Sequence, residues 1–453
     1  FLSTVFLALA LLSFGQSARH KTEWIQHPES DAKDYGVYFL KAQFSLKKVP
    51  ENFIVNVSAD NRYKLYVNGK WAGLGPARGD LKNWFYESYD LKPYLKRGRN
   101  IITAEVWNFG EHKPLAQISS ETGFYFHVEN KNYRKLNSGA GKWQIRKIEA
   151  YDPIAFGSFI DKWYYVCGPG DSLNYSDYPV NWMKDKRNSA QWHEAKVVNN
   201  SHLKWNLIPR EIPHLTRNME KITALDRIEG DVLNLTPSRE PFKNSIIIPS
   251  NKRITLLFDQ EYLTVGYPVL KFSKGNGSQV KITYAESLYH PNRDKGNRDV
   301  IENKEIIGYH DHFIADGRKE AEFIPLWWRT FRYIQLDIVT RDEELVLEDF
   351  YNYYVAYPYE QNAIFKTDKP VIDDIMEAGI RTLKLCSGET FYDCPYYEQL
   401  QYIGDTRVQA LIKMYMTGDD RLVRNAITQF SNTFIDEGLT LSRHPANYPQ
   451  IIP

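Results

Sequence analysis

One short stretch of the sequence, residues 389–407, combines carboxylates and aromatic rings at unusual density. The seventeen residues from Glu389 to Asp405 hold four carboxylates, the other two being Asp393 and Glu398. Five aromatic rings and a proline alternate with them: Phe391, Tyr392, Pro395, Tyr396, Tyr397 and Tyr402. Solvated loops rarely carry so many aromatics, and packed cores rarely carry so many acids. A groove that stacks sugar rings and hydrogen-bonds their hydroxyls needs this mixture.

Hydrolysis of a glycosidic bond adds a more specific demand on one of these acids. It needs a carboxyl group that keeps its proton near neutral pH, and apolar surroundings favour that state. Glu398 has Tyr397, Leu400 and Tyr402 as near neighbours, so we predict that it is the acid. A structural alternative makes Asp405 the N-cap of a helix and the other acids surface groups. Spacing alone leaves both interpretations open.

The periodicity around this stretch predicts three helices. Asp368 can cap a first helix that has Pro370 in its first turn, and Asp405 can cap a second that closes at Gly418. A third helix opens at Asp419 or Asp420 and closes at Gly438. The apolar residues predicted to face inward are Ile372, Ile375, Met376, Ile380 and Leu383 in the first helix, Val408, Leu411, Met414 and Tyr415 in the second, and Leu422, Val423, Ile427, Phe430 and Phe434 in the third. Three capped helices with short links are typical of the start of an all-α domain. We therefore expect these helices to be the first part of a larger all-α domain, with apolar surface exposed along them.

Two regions that precede the helices read as β-structure. Residues 21–215 and 231–354 consist of short runs of alternating hydrophobicity, such as residues 54–58, 63–67 and 101–107. Asn68-Gly69 directly after one such run predicts a tight hairpin. Closely spaced strands of this type indicate sandwich domains.

The composition excludes some classes of function. Among 453 residues, Lys and Arg number 57 and Asp and Glu 56, so the net charge is +1. Binding to a phosphate backbone requires a concentrated positive face, so we expect no nucleic-acid partner. No run of eighteen apolar residues occurs, and we expect no membrane span. The oligomeric state cannot be read from these features.

The N-terminal residues and the cysteines bear on the compartment. Residues 5–12 are an apolar run too short to cross a bilayer, and small residues follow it. We predict a signal peptide over residues 1–18 that lacks its own start, and hence a secreted or periplasmic protein.

Three cysteines are too few for a disulfide scaffold, and Cys386 and Cys394 could either pair or remain free thiols. His310 and His312 lack an evident third ligand, and no cofactor motif appears, so we expect neither metal nor cofactor.

Several motifs resemble the bacterial α-L-rhamnosidases of glycoside hydrolase family 78. The catalytic signature of that family is matched by Asp393-Cys394-Pro395, Glu398 and Gly404-Asp405. Residues 58–69 and 75–80 are similar to its N-terminal sandwich, and residues 324–333 to its strand before the helical barrel. The resemblance implies a multidomain α and β fold, in which N-terminal β-sandwich domains are followed by a truncated (α/α)6 barrel. The implied domains are residues 19–215, 216–358 and 359–453.

The resemblance also implies roles for individual residues. Glu398 would be the general acid, Asp393 and Asp405 would bind rhamnose hydroxyls, and Tyr402 would supply an apolar wall. Arg407 would touch substrate or fix the local carboxylates, with a structural salt bridge as its alternative. The family inverts configuration, so a second carboxylate must activate water. By resemblance this base lies beyond residue 453, and we expect the fragment alone to be inactive.

Two departures from the family pattern leave alternatives. Tyr397 stands where an arginine is common, and Gln401-Tyr402 where Gly-Trp is common, which puts the sugar in doubt more than the reaction. The expected substrate is a carbohydrate bearing terminal α-L-rhamnose. The alternatives are a glycosidase of the same fold that acts on another sugar, and a carbohydrate-binding protein whose helical domain is inactive.

Overall fold

The computed structural model describes residues 22–141, 143–155, 165–184, 191–230 and 235–450. The predicted signal peptide, residues 1–18, lies outside these residues. The chain forms two compact units. The first consists of the described residues of Phe1–Glu111, Gln117–Glu149 and Pro179–Arg210, and the second of those of His112–Ala116, Ala150–Tyr178 and Glu211–Pro453.

The first unit is a sandwich of two β-sheets, each with six strands among the described residues. One sheet has the order Lys196–Val197, Ile25–Gln26, Gly123–Val128, Ile54–Asp60, Trp84–Asp90 and Leu207–Pro209. The other has the order His193–Glu194, Gln144–Lys147, Gly36–Leu46, Gly98–Asn108, Arg62–Val67 and Lys70–Gly75. Alternate residues of both sheets, including Val55, Val57, Tyr63 and Leu65, fill one core. This confirms the alternation predicted from the sequence.

The Asn68-Gly69 hairpin is confirmed. Both residues have positive φ, 52° and 78°, and they join Arg62–Val67 to Lys70–Gly75. Two consecutive left-handed residues match the twist of the flanking strands, which is why this dipeptide predicts the turn so well. Short helical turns occur elsewhere at Lys92–Tyr94, Gly110–His112, Lys131–Leu136 and Ser201–Lys204.

The β-part of the second unit is built around one strand of 22 residues, Arg253–Lys274. Its first half pairs with Ala224–Glu229 and Arg329–Val339, and its second half with Leu345–Tyr354 and Ala321–Phe323. The register shifts between Asp259 and Thr264. Further strands extend the two halves: Gln279–Ala285, His310–Ile314, Gly170–Asn174 and Tyr151–Ile154 beyond the first, and Asn218–Lys221 and Ile246–Ile248 beyond the second.

Aromatic rings pack between the two groups of strands in this unit. Phe258 from the first half of the long strand lies 5.6 Å from Phe350, and Phe272 from its second half stacks on Phe313 at 4.6 Å. The long strand therefore contributes to both layers of one apolar core.

The two units divide the chain differently from the boundary predicted at residue 215. Gly170–Asn174 pairs in parallel with His310–Ile314 and so belongs to the second unit. Buried charges reinforce this pairing, because Arg329 binds Asp171 at 3.1 Å and its Nε donates to Asp311 at 3.0 Å. A parallel partner that is 140 residues away in the sequence has no local signature, so the sequence pattern could not assign it.

Three helices follow the second β-region: α1 at Pro370–Leu385, α2 at Ile403–Thr417 and α3 at Arg421–Ser431. Their existence, Pro370 in the first turn of α1 and the left-handed Gly418 after α2 confirm the sequence prediction. The β-domains followed by helices confirm the predicted fold class. Within the described residues, no helix is both long and apolar enough to cross a membrane.

The predicted N-caps Asp368 and Asp405 and the predicted inward face of α2 are wrong, whereas Asp420 is the N-cap of α3 as predicted. Lys369 and Tyr402 occupy the N-cap positions of α1 and α2, while Asp405 lies inside the first turn of α2. Asp420 caps α3, but its side chain makes no capping hydrogen bond, and α3 ends at Ser431 rather than Gly438. The buried residues of α2 are Thr406, Ala410, Lys413 and Thr417, whereas its apolar residues Val408, Leu411, Met414 and Tyr415 are exposed.

The exposure of the apolar face of α2 is explained by the contacts of its opposite face. Lys413 is fully buried, because its ammonium binds Asp419 Oδ2 at 3.1 Å and lies 4.6 Å from the ring of Tyr357. The packed face of α2 therefore meets polar groups, and its most apolar face makes no such contact within the described residues. The expected exposure of apolar surface on these helices is confirmed, for example at Ile375, Ile427 and Phe434.

Candidate functional site

The stretch singled out in the sequence is an irregular, largely buried segment between α1 and α2. Two hydrogen bonds attach it to strands of the second unit. The Thr330 hydroxyl donates to the Pro395 carbonyl at 2.7 Å, and the Tyr396 hydroxyl donates to the Tyr284 carbonyl at 2.7 Å. Tyr396 also packs on Tyr309, with 4.8 Å between ring centroids. The segment is thus held by the sheet rather than by regular structure of its own.

A tight turn within the segment separates Asp393 from Glu398. The Asp393 amide donates to the Leu400 carbonyl at 2.8 Å, and the Leu400 amide returns a bond to Asp393 Oδ1 at 2.9 Å. Gln399 has a φ of 57°, and its side-chain oxygen accepts from the buried Trp327 indole at 2.8 Å. The left-handed residue and its buried partner fix the turn, so both carboxylates have defined positions.

Glu398 is half-buried and belongs to a chain of hydrogen bonds. The Tyr402 hydroxyl donates to Glu398 Oε2 at 2.9 Å, and Arg443 Nη1 donates to the Tyr402 oxygen at 3.0 Å. A guanidinium can only donate, so the tyrosine oxygen must accept from it and the tyrosine proton must point to Glu398. Oε2 is therefore engaged as an acceptor. Oε1 is the carboxylate oxygen that Tyr402 does not bind.

Arg443 is brought to this site by a second segment, the one that follows α3. Gln401 and His444 exchange hydrogen bonds of 2.8 Å and 3.1 Å, and the Ile403 amide donates to the Ser442 carbonyl at 2.9 Å. These bonds align the two segments so that Arg443 lies against Tyr402. Sequence analysis missed Arg443, because it is 45 residues from Glu398 and carries no motif of its own.

The environment of Asp393 differs from the one the sequence suggests. Burial, together with the smaller effect of the nearby charge of Glu398, raises the pKa of Asp393 to about 6, although the amides of Leu400 and Cys394 oppose the shift. Burial also raises the pKa of the Cys394 thiol to about 12. Cys394 is therefore a neutral thiol at neutral pH, and it forms no disulfide with Cys386, since both are free. A nucleophilic thiolate has no support here.

The other predicted site residues lie at the edge of this group. Asp405 and Arg407 are exposed in the first turns of α2, and the charges of Asp405 and Asp393 both act on the Cys386 thiol. Arg407 forms no ion pair with any described residue, so the structural salt bridge considered for it is absent from this part of the chain. The sequence predicts Tyr402 as an apolar wall, whereas the structure also gives its hydroxyl a hydrogen bond to Glu398.

A cavity of about 530 Å³ opens beside Glu398. One wall consists of Cys394, Tyr397 and Glu398, and the other of residues from the connection between strands Gln279–Ala285 and His310–Ile314. That connection, residues 286–309, is named the 286–309 loop here. It was missed in the sequence analysis, although a long connection with basic and aromatic residues is a signal of function. The described residues contain no cluster of His, Cys, Asp and Glu that could hold a metal.

Two family models match the second unit. Residues 360–452 match the bacterial alpha-L-rhamnosidase six-hairpin glycosidase domain, and residues 251–355 match the bacterial alpha-L-rhamnosidase concanavalin-like domain. An alpha-L-rhamnosidase of Alteromonas sp. (strain LOR) is 22% identical over 406 residues, which are 83% of this chain and 38% of that protein.

Solved structures show the same architecture. The rhamnosidase of Bacillus sp. GL1, described as a member of GH78, has a TM-score of 0.77 at 15% identity, over 96% of this chain and 65% of that one. The α-L-rhamnosidase of Aspergillus terreus has a TM-score of 0.68 at 14% identity, over 95% of this chain and 47% of that one. The chain thus spans less than two thirds of each of these relatives. Residues 251–355 and 360–452 are thus similar to the concanavalin-like and six-hairpin glycosidase domains of bacterial alpha-L-rhamnosidases, and the fold of the chain is that of the solved rhamnosidases.

Proposed function

We propose that the protein is a secreted or periplasmic glycoside hydrolase that removes terminal α-L-rhamnose with inversion of configuration. The observation that carries the proposal is the placement of Glu398 at the wall of the cavity, with Tyr402 bound to one carboxylate oxygen. The other oxygen is then available to give a proton to a glycosidic oxygen. That is the arrangement a general acid needs.

The neighbouring residues support this role through their contacts. Asp393 is held by the Leu400 amide beside the acid, where a carboxylate can accept hydrogen bonds from sugar hydroxyls. Tyr397 at the cavity wall offers an apolar ring face for a sugar to stack on. The proposal gives Asp405 and Arg407 contacts further out on the sugar. Inversion additionally requires a base about 6.5–9.5 Å from the acid.

An assay with the full-length protein tests the proposal. We expect release of rhamnose from an aryl α-L-rhamnoside, with the β-anomer as the first product seen by NMR. Rhamnose released first as the α-anomer would refute inversion. Release of a different sugar only, from a panel of aryl glycosides, would replace rhamnose but keep the hydrolase. Binding of a rhamnoside with no hydrolysis of any glycoside would favour the carbohydrate-binding alternative.

The location is tested separately. Residues 5–12 and the small residues after them support export. We expect the protein in the periplasm or the medium after cell fractionation, with its first residue near position 19. Recovery in the cytoplasm with residues 1–18 attached would refute export.

A further inference from the structure

The 286–309 loop presents cationic side chains to the cavity that contains Glu398. Arg293 and Lys295 line it, together with Tyr289 and Asp294. The general acid and a loop of the β-domain therefore face the same space. A substrate whose rhamnosidic bond reaches Glu398 must place its neighbouring groups beside this loop.

Several buried contacts fix the loop to the second unit. Lys304 is buried, and its ammonium donates to the carbonyls of Lys295 at 2.7 Å and Asn297 at 2.5 Å. The Tyr333 hydroxyl donates to the Arg298 carbonyl at 2.7 Å, and Arg332 binds Asp299 at 2.6 Å. Since a buried lysine needs strong acceptors to offset its desolvation, these bonds indicate a loop built to hold one conformation.

Arg293 is an exposed cation that no described carboxylate neutralises through an ion pair. It has a φ of 71°, in a turn closed by its own amide donating to the His290 carbonyl at 2.8 Å. Left-handed positions favour glycine or asparagine, so the turn itself does not call for arginine. The planar guanidinium is suited to bind a carboxylate or a sulfate with two hydrogen bonds.

Lys295 is held in place beside Arg293. Its ammonium donates to the Tyr397 hydroxyl at 3.0 Å, lies 3.6 Å from Glu286 and also hydrogen-bonds Tyr289. An ammonium has three donors, so Arg293 is the cation of the pair that is open to a ligand. The lining also contains the carboxyl groups of Glu398 and Asp294, and Asp294 accepts from the Gly296 amide at 3.2 Å within its own turn.

We propose that Arg293, with Lys295 fixed beside it, binds an anionic sugar, a uronic acid or a sulfated sugar, next to the rhamnose of the substrate. This inference rests on the proposed function of the cavity. The neighbouring rings of Tyr289 and Tyr397, each 5.5 Å from the Lys295 ammonium, supply apolar surface for the body of that sugar. The subsite thereby selects substrates by the charge of the unit attached to rhamnose.

The test compares three disaccharides that differ at one position. Rhamnose is α-linked to glucuronic acid, to glucose 6-sulfate or to glucose, and the full-length protein is assayed on each. We expect kcat/KM to be about tenfold higher for at least one anionic substrate than for the glucoside, the effect of one charge-assisted hydrogen bond. The anionic substrate with the higher kcat/KM shows whether the subsite prefers a carboxylate or a sulfate. Raising the salt to about 0.5 M should reduce the preference, because the subsite is partly exposed.

Variants separate the subsite from the reaction. Arg293→Gln should lower kcat/KM for the preferred anionic substrate about tenfold more than for the glucoside, and Arg293→Lys should recover part of the difference. Arg253→Gln, at an exposed arginine at the start of the long strand, should change neither ratio. Equal values for all three substrates, or equal losses in Arg293→Gln, would overturn the subsite. No release from these substrates or from an aryl rhamnoside would instead refute the proposed function.

Discussion

Glu398 and Asp393 lie in one turn, but they make different contacts, and we predict different roles for them. Glu398 has one oxygen bound by Tyr402, while Asp393 is bound by backbone amides. In the full-length protein, Glu398→Gln should lower kcat about 10²–10⁴-fold for a rhamnoside with a poor leaving group, because an amide cannot donate the proton. The loss should shrink for an aryl leaving group that departs as a stable anion.

Asp393→Asn is the matched comparison for that experiment. Removing a charge that binds sugar hydroxyls weakens contacts to the sugar whatever the leaving group, so both substrates should lose comparable activity. The reverse pattern, leaving-group dependence in Asp393→Asn and none in Glu398→Gln, would exchange the two roles. The raised pKa of Asp393, about 6, is the reason to compare the two variants on both substrates.

Arg443 is predicted to be a positioning residue that acts through Tyr402. Arg443→Met removes the donor that fixes the direction of the tyrosine hydroxyl, and we expect kcat to fall about tenfold, since a hydrogen bond to a charged group is lost. In a Tyr402→Phe background the same change should have little further effect on kcat. The measurement is a double-mutant cycle.

The outcome that would contradict this prediction is additivity. If Arg443→Met lowers kcat by the same factor with and without the Tyr402 hydroxyl, Arg443 acts on the site independently. Thermal melting of each variant separates loss of fold from loss of positioning, because Arg443 is largely buried.

At the scale of elements, we predict that the buried Lys304 contributes most to the order of the 286–309 loop. Lys304→Met keeps the apolar stem but removes both bonds to the loop carbonyls. We expect faster hydrogen exchange over residues 290–304 and a fall in kcat/KM of about tenfold, with exchange in Arg253–Lys274 unchanged. Lys281→Met, at an exposed lysine of a neighbouring strand, should alter neither. Unchanged exchange in the loop would show that Arg332 and Tyr333 suffice to hold it.

The elements also show what the sequence could and could not predict. Hairpins and helices with local signatures, such as Asn68-Gly69 and Pro370, were predicted because their backbone conformation depends on neighbouring residues. The packed face of α2 was not, since periodicity identifies the most apolar face and Lys413 is buried by Asp419 and Tyr357 instead. The residues of the candidate site likewise divide into those with a local sequence signature and those without one. Glu398 stands in a motif, whereas Arg443 and Arg293 reach it only through tertiary structure.

At the scale of the molecule, stability should depend on pH through a carboxylate of the first unit. Asp60 is fully buried, and it accepts from Ser119, the Ser120 amide and the Trp205 indole. Burial raises its pKa to about 6, against 3.8 for the free residue. The folded form therefore binds the proton more tightly than the unfolded form. The first unit loses stability as the pH rises from about 4 to about 6, and the loss is complete above that range.

The comparison with Asp60→Asn isolates this titration. The free energy of unfolding of the wild type should fall by about 2 kcal/mol relative to the variant between pH 4 and pH 6, and the difference should be constant from pH 7 to pH 8. Hydrogen exchange of peptides in the first unit measures it. A difference that does not change across pH 4–6 would contradict the shifted pKa. The variant itself should be less stable at every pH, since an amide cannot accept all of these donors.

The hydrogen bonds that join Thr330 to Pro395 and Tyr284 to Tyr396 have a consequence for the order of synthesis. Thr330 and Tyr284 leave the ribosome more than sixty residues before Pro395 and Tyr396 do. Protein synthesis adds about 5–20 residues per second, and strand pairing is complete on shorter timescales in many domains. We therefore expect the sheet to form first and residues 393–396 to pack onto it as they emerge. Substitutions far upstream in these strands would then disturb the position of Glu398 without changing any residue of the cavity wall.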